Sequence, residues 1–410
     1  MRYLLILTFF ISALWSADAT LEVTKNVGML PKLAIEDASS VGNDSGTRFH
    51  KMLSADMNVV SLFDVDDRYA TQSFDNPQAA GIHKDAVYIL RYRLVPDGSG
   101  GYRTDVKLFQ NSLELFSKIY YLKQREMLVF LAHSVAYDIN AKMGGGPLEW
   151  MKRKVLFVRL SGPRRSDIVA ADYTLSYQKV VLSGGMYGFV KWANREQTDF
   201  YYTSLSDFHP TIYKVNLATG NRSPVISSDG MAVCSDVSED GNRLLLTLAP
   251  NGQPDIYLYD VRTKTKTRLT DYSGIDVSGQ FMGEDRIAFV SNRMGSPNIF
   301  SKKISESAIK QVVFEGRNNS TCSTYRDWLV YKAREGRGAF NLHLISLNNS
   351  SIRRLTSSGD NDYPRFSHDG EAILHIKHEG SRSMVGIIRL GVNKSFSFPL
   401  HIGRMQSIDW

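Results

Sequence analysis

The sequence predicts an all-β six-bladed propeller preceded by a small α+β domain, and three observations carry that expectation. Asp-Gly turns stand between apolar runs, as in NDYPRFSHDGEAILHI from residue 361 and its weaker copy SDVSEDGNRLLLTL from residue 235. Short apolar strands recur at a fixed period through the last three fifths of the chain. The residues before them lack that period and hold an amphipathic helix.

The chain opens with Arg2, a short apolar run from Tyr3 to Leu14, and Ala17-Asp18-Ala19, the layout of a secretory signal peptide over residues 1–19. Cleavage after Ala19 leaves Thr20 as the first mature residue. The apolar run is too short to cross a bilayer, and no later stretch approaches the roughly 20 apolar residues that a spanning helix needs. The expectation is therefore an exported protein with no membrane span. The net charge of +7 is spread along the chain without a block of lysine and arginine, which argues against a nucleic-acid partner.

Residues 20–148 form the expected α+β domain. A helix is expected from Thr47 to Met57. AVYILRYRLVPDGSGGYRTDVKLFQ reads as two strands joined near Asp97-Gly98, followed by a third, LELFSKIYYL. From Gln124 to Lys142, Leu128, Leu131, Val135 and Ile139 fall at three-and-four spacing before Gly144-Gly145-Gly146, which makes an amphipathic helix with a glycine stop. His133 falls on the polar-to-apolar border of that helix. The segment from Gly144 to Pro147 reads as the linker.

Residues 149–410 carry the repeat. Its anchors are Ile168, Ile212, Ile256, Ile299, Leu342 and Val385, spaced by 43 or 44 residues. In front of them lie VLFV, FYYT, LLLT, IAFV, LVYK and ILHI, continuous apolar runs suited to strands buried on both faces. Four short strands in a period of about 40 to 45 residues make a propeller blade. In the Asp-Gly hairpins glycine reaches positive φ without steric cost and aspartate bonds its own backbone. The blade near Phe281 has Met282-Gly283-Glu284-Asp285 in their place.

Six second strands begin at Val155, whereas the six innermost strands begin near Phe189 and end at Ser407 to Trp410. Only a closed ring pairs them, so the C-terminal strand is expected to complete the first blade, with Trp410 packed between blades. The same register puts Cys234 and Cys322 on innermost strands two blades apart. That is beyond the roughly 7 Å between Cα atoms that a disulfide allows, so two free buried thiols are expected.

No Gly-x-Ser-x-Gly elbow, His-Glu-x-x-His or paired Cys-x-x-Cys occurs in the sequence. The nine histidines are scattered, and His368 with Asp369 reads as turn chemistry rather than a dyad, because Glu239 and Asp240 hold the same repeat positions. No catalytic residue, metal or cofactor is expected, and function is expected from surfaces. The loops entering the innermost strands carry Met186, Tyr187, Met231, Asp276, Asn319, Thr321, Tyr363 and Met405, residue types that include the methionine and tyrosine enriched in interface cores.

The Pro-x-Phe-Ser-x-Asp-Gly motif, the hairpin DAVYILRYRLVPDGSGGY, and AHSVAYDI running into MKRKVLFVR resemble the TolB family, periplasmic propeller proteins of the Tol-Pal envelope system. The resemblance covers the mature chain with its domain order. It implies a non-enzymatic, monomeric periplasmic adaptor that supports outer-membrane integrity, cell division and protein import. The eight loop residues named above would then meet the outer-membrane lipoprotein Pal. Thr20, Leu21, Glu22 and Val23 would reach TolA by strand addition. The competing class is an exported propeller enzyme acting on polysaccharide or peptide.

Overall fold

The computed structural model describes residues 29–39, 44–336 and 338–410. The expected signal peptide and Thr20 to Val23 lie outside them. Pro31–Trp410 form one compact unit, and everything below concerns it.

The N-terminal domain is a five-stranded mixed sheet with two helices. The strands are β1 (Lys32–Asp37), β2 (Asp64–Thr71), β3 (Tyr88–Pro96), β4 (Tyr102–Gln110) and β5 (Leu113–Leu122). Their order is β2-β1-β3-β4-β5, parallel for β2-β1-β3 and antiparallel beyond. The three strands read from sequence are β3, β4 and β5. Helix α1 (Asp44–Val60) runs longer at both ends than expected and buries Phe49, Leu53, Met57 and Val60, one face at helical spacing. Helix α2 (Leu128–Lys142) follows a short 3-10 turn, Arg125–Met127, and buries the four residues of the predicted stripe.

Gly144, at φ +72°, takes the left-handed conformation that ends α2. The segment after it is fastened rather than loose: Gly145 N–H donates to the Asn140 carbonyl (2.9 Å), the Asn140 amide donates to Gly146 O (2.7 Å), and Leu148 is buried.

Six four-stranded antiparallel sheets follow. Their innermost strands are Tyr187–Trp192, Ala232–Val237, Asp276–Met282, Arg317–Tyr325 and Asp360–Phe366 in blades 2 to 6, and Arg404–Asp409 in blade 1. Arg404–Asp409 pairs antiparallel with Val155–Gly162, so the C-terminus closes the ring as the strand count requires. Closure leaves no open sheet edge in the ring direction. Trp410 lies where expected. Its indole N–H donates to Phe366 O in blade 6 (2.9 Å), and its ring sits 5.5 Å from Trp150.

The two Asp-Gly hairpins fold alike, which explains the repeated sequence. In SHDG, Ser367 Oγ donates to Asp369 Oδ1 (2.5 Å) and accepts from Ala372 N (3.0 Å). In SEDG, Ser238 Oγ donates to Asp240 Oδ1 (2.6 Å) and accepts from Arg243 N (2.9 Å). Gly370 and Gly241 stand at φ +75° and +73°, and a Cβ on Gly370 would run into the Tyr325 ring. Asp369 is thus held by its turn, while His368 is exposed.

One hydrophobic cluster joins the N-terminal domain to blades 1 and 6, with Met57, Val135 and Trp150 beside Phe157, Leu374 and Trp410. Polar contacts cross the same boundary. Arg389 of blade 6 donates to the carbonyls of Val59 (2.9 Å) and Val60 (2.5 Å), placing a guanidinium at the negative end of α1. His133 is not at a helix border but fully buried. Its Nδ1 lies 2.8 Å from Asp56 Oδ2 of α1 and its Nε2 3.4 Å from Asp172 Oδ2, at the end of the third strand of blade 1. Tyr173 O–H also donates to Asp56. Burial pulls the His133 pKa down, but the charge of Asp56 and the hydrogen bonds to both carboxylates outweigh it and push it up to about 9.

Candidate functional site: the open rim and the channel

The innermost strands build the channel wall, and each carries a break in its pairing register at a corresponding place. Phe189 (φ 54°), Ser278 (φ 57°), Thr321 (φ 27°) and Tyr363 (φ 50°) mark it with left-handed backbone. A bulge re-aims the strand beyond it. Two residues further along, side chains at matching repeat positions meet across the channel. Lys191 Nζ lies 3.1 Å from both Asp236 Oδ1 and Asp409 Oδ1, while Arg365 lies 3.7 Å from Asp409 and donates to Gln280 Oε1 (3.2 Å). Burial alone would lower the Lys191 pKa, but Asp409 and Asp236 outweigh it and hold it above its ordinary value.

The other carboxylate oxygens stitch neighbouring blades. Asp236 Oδ2 accepts from Phe281 N (2.9 Å) and Asp409 Oδ2 from Trp192 N (2.9 Å), and Ser323 Oγ accepts from Phe366 N at the equivalent place (3.2 Å). These groups are occupied in holding the ring. Among the described residues no His, Cys, Asp or Glu cluster is arranged to hold a metal ion. Cys234 and Cys322 are free and buried, as expected, and burial pushes both thiols up, that of Cys322 to about 12.

The eight rim residues read from sequence do not share one environment. Met231 is exposed and Met186, Tyr187 and Thr321 are half-buried at the mouth. Thr321 Oγ1 donates to Asp362 Oδ1 (3.1 Å), which ties the innermost strands of blades 5 and 6 together. Three of the eight point inward. Asp276 is buried in a bidentate pair with Arg293 (3.0 and 2.9 Å), Asn319 is buried with its amide donating to Asn298 Oδ1 (3.0 Å) and Glu315 O (2.8 Å), and Met405 lies in the core. All but Met186 and Met231 lie within the innermost strands rather than in the loops entering them, and a side chain near the start of a strand alternates in or out, which the repeat alone does not say. Tyr363 is half-buried against the main hydrophobic cluster, and burial pushes its phenol up to about 12. Replacing it with aspartate would therefore disturb the core as well as the rim.

Sequence reasoning missed the other apolar residues on this end of the ring. Phe208, in the turn SLSDFHP, and Met294, in NRMGSP, join second to third strands, while Phe314 and Ile402 lie in connections leading to innermost strands. With Leu160, Met231 and Ile275 they make seven large apolar side chains exposed between 37% and 95%. A lone phenylalanine or methionine among Ser, Asp, Asn, Gly and Pro was the signal available. On the opposite end, where Asp172, Arg389 and Trp410 meet the N-terminal domain, the described residues include two such side chains, Trp328 and, near the start of the outermost strand of blade 1, Val180.

Residues 150–410 match the family described as the TolB beta propeller domain. The chain is 42% identical over 407 residues to a Tol-Pal system protein TolB of Campylobacter jejuni, covering 98% of each chain. It is 38% identical to a Tol-Pal system protein TolB of Helicobacter pylori, covering all of both. Among solved structures, TolB from Acinetobacter baumannii superposes with a TM-score of 0.76 at 21% identity, over 93% of this chain and 97% of that one.

Proposed function

The chain belongs to the TolB family of the Tol-Pal system, and from that premise we propose that it is a non-enzymatic periplasmic adaptor whose open rim docks the lipoprotein Pal. The observation that carries this reading is the asymmetry of exposed apolar side chains, seven on the rim facing away from the N-terminal domain against two on the other end. Soluble proteins seldom leave a ring of large apolar groups in water without a partner to cover them. The wide spacing of Phe208, Met294, Phe314 and Ile402 around the mouth suits a partner seated over the channel.

In this reading residues 1–19 direct export, Thr20 to Val23 engage TolA by strand addition, and the protein acts as a monomer in outer-membrane integrity, cell division and protein import. The domain division falls between residues 148 and 149, supported by the family match beginning at residue 150. No helix among the described residues is long and apolar enough to cross a membrane. The charged channel residues are already engaged in pairs and blade-to-blade bonds, which disfavours their use as a general acid or base.

The test is a titration of the purified protein with the soluble domain of the Pal protein from the same organism. The wild type should bind, and Met294→Asp with Phe314→Asp should weaken binding by at least about tenfold, as loss of an interface anchor does. Binding unchanged by the double substitution would remove the rim from the interface. Turnover of a polysaccharide or peptide, with no Pal binding, would establish the enzyme class instead.

A further inference from the structure

The rim is not electrically uniform. Arg164 and Arg165 form the turn between the second and third strands of blade 1, Arg382 follows the equivalent turn of blade 6, and Arg404 opens the closing strand. All four are exposed. The strand register brings them to one corner. Arg404 lies opposite Leu160, Leu160 opposite Ser166, and Gly162 opposite Arg165. Met405 N–H donates to Ser383 Oγ (3.1 Å), and Leu400 N–H to Ser383 O (2.9 Å), which fixes the Arg382 turn beside Arg404.

None of these four guanidinia has an ion-pair partner among the described residues. The carboxylates of the same turns are already taken, Asp167 by Arg159 (3.0 Å) and Glu379 by Lys377 (2.7 Å). Elsewhere on this rim Arg293 pairs with Asp276 and Lys332 with Asp362 (2.5 Å), while Arg334 has no ion pair but donates to Gly338 O (3.0 Å) and lies over the Phe340 ring. Unpaired arginines fixed on sheet ends are suited to bidentate recognition of carboxylates, because the planar guanidinium presents its donors as a fork.

We propose that the rim orients its protein partner through this corner, with a cluster of partner carboxylates facing Arg164, Arg165, Arg382 and Arg404 while the apolar ring supplies the buried contact. The proposal rests on the reading of the rim as the Pal-binding face and adds the chemistry and register of the partner. Exposed complementary charges act chiefly on the association rate and its salt dependence, whereas the apolar anchors act on dissociation.

The two contributions are separable by stopped-flow association with the soluble Pal domain over a range of salt concentrations. Reversing all four arginines to glutamate should slow association at low salt by at least about tenfold and flatten its salt dependence, with the dissociation rate changed by less than about threefold. The milder quadruple change to glutamine, which keeps the side chains polar, should show the same sign if the reversed protein is poorly folded. An association rate and salt slope equal to wild type would overturn the proposal, while the Met294→Asp and Phe314→Asp pair still reports on the rim itself. Loss of binding to phosphatidylglycerol vesicles, with Pal association untouched, would assign the corner to a lipid surface and overturn it as well.

Discussion

The two ends of the propeller are made from the same repeat and have opposite surfaces. On one end blades 1 and 6 meet the N-terminal domain, where a histidine is buried between two carboxylates, Arg389 caps α1, and Trp150 packs edge-on or tilted against Tyr173 and Trp410. On the other end the turns and connections hold phenylalanine, methionine and isoleucine in water. Strand registers are nearly the same from blade to blade, so the difference lies in the loops, where the fold places no packing demand. Sequence in the strands maintains the ring, and sequence in the loops decides which end is an internal interface and which is left for a partner.

The largest effect expected from breaking this arrangement comes from the strand that reaches both ends. Deleting Gln406 to Trp410 removes Ile408 and Trp410 from the core, unpairs Val155–Gly162 on one side, and takes Asp409 from Lys191. Losing two large buried side chains and the strand pairing should cost about 5 kcal/mol or more, comparable with the whole stability of many domains. Neither end of the ring should then survive, seen as loss of soluble protein or of a cooperative melt. A truncated chain that melts like the intact one would contradict the closure.

Second in size is the covered end. His133→Ala leaves Asp56 and Asp172 buried without their cation, and one-sided loss of a buried pair costs about 3 to 5 kcal/mol. Urea unfolding measures it directly. The same group sets a pH window. Its folded pKa is raised from 6.5 to about 9, so its contribution is fully present below about pH 6.5 and is lost as pH rises through 9. Melting temperature should therefore fall between pH 7 and pH 9.5 more in the wild type than in His133→Gln. Equal slopes would show that the imidazole does not carry the charge.

These two effects also mark how far the sequence could be read. The period of the anchors, the Asp-Gly turns and the strand count were sufficient for the six blades, the closing strand and the two unpaired cysteines, because each follows from local chemistry repeated in register. His133 could not be placed, since its partners stand 77 and 39 residues away and one of them, Asp172, sits on another blade-end loop. Asp276, Asn319 and Met405 were expected in loops but lie within innermost strands, and their inward direction depends on the bulges in those strands. The apolar ring was half legible: Met231 stood out as an interface type at a strand entrance, whereas Phe208 and Met294 lay in turns between outer strands where no repeat position drew attention to them.

The smallest effect on stability should come from the open end, and it is the sharpest test of the contrast. Met294 is 68% exposed and Phe314 74% exposed, so in the isolated protein neither gives up much apolar contact when it is replaced. Substitutions at such positions usually move stability by less than about 0.5 kcal/mol. Met294→Asp and Phe314→Asp should therefore unfold in urea within that margin of wild type, or slightly later because fewer apolar groups face water. The partner titration should register the change that the melt does not. A loss of 2 kcal/mol or more in the isolated protein would show that these side chains already have a packing role, and the two ends of the ring would then differ in composition but not in purpose.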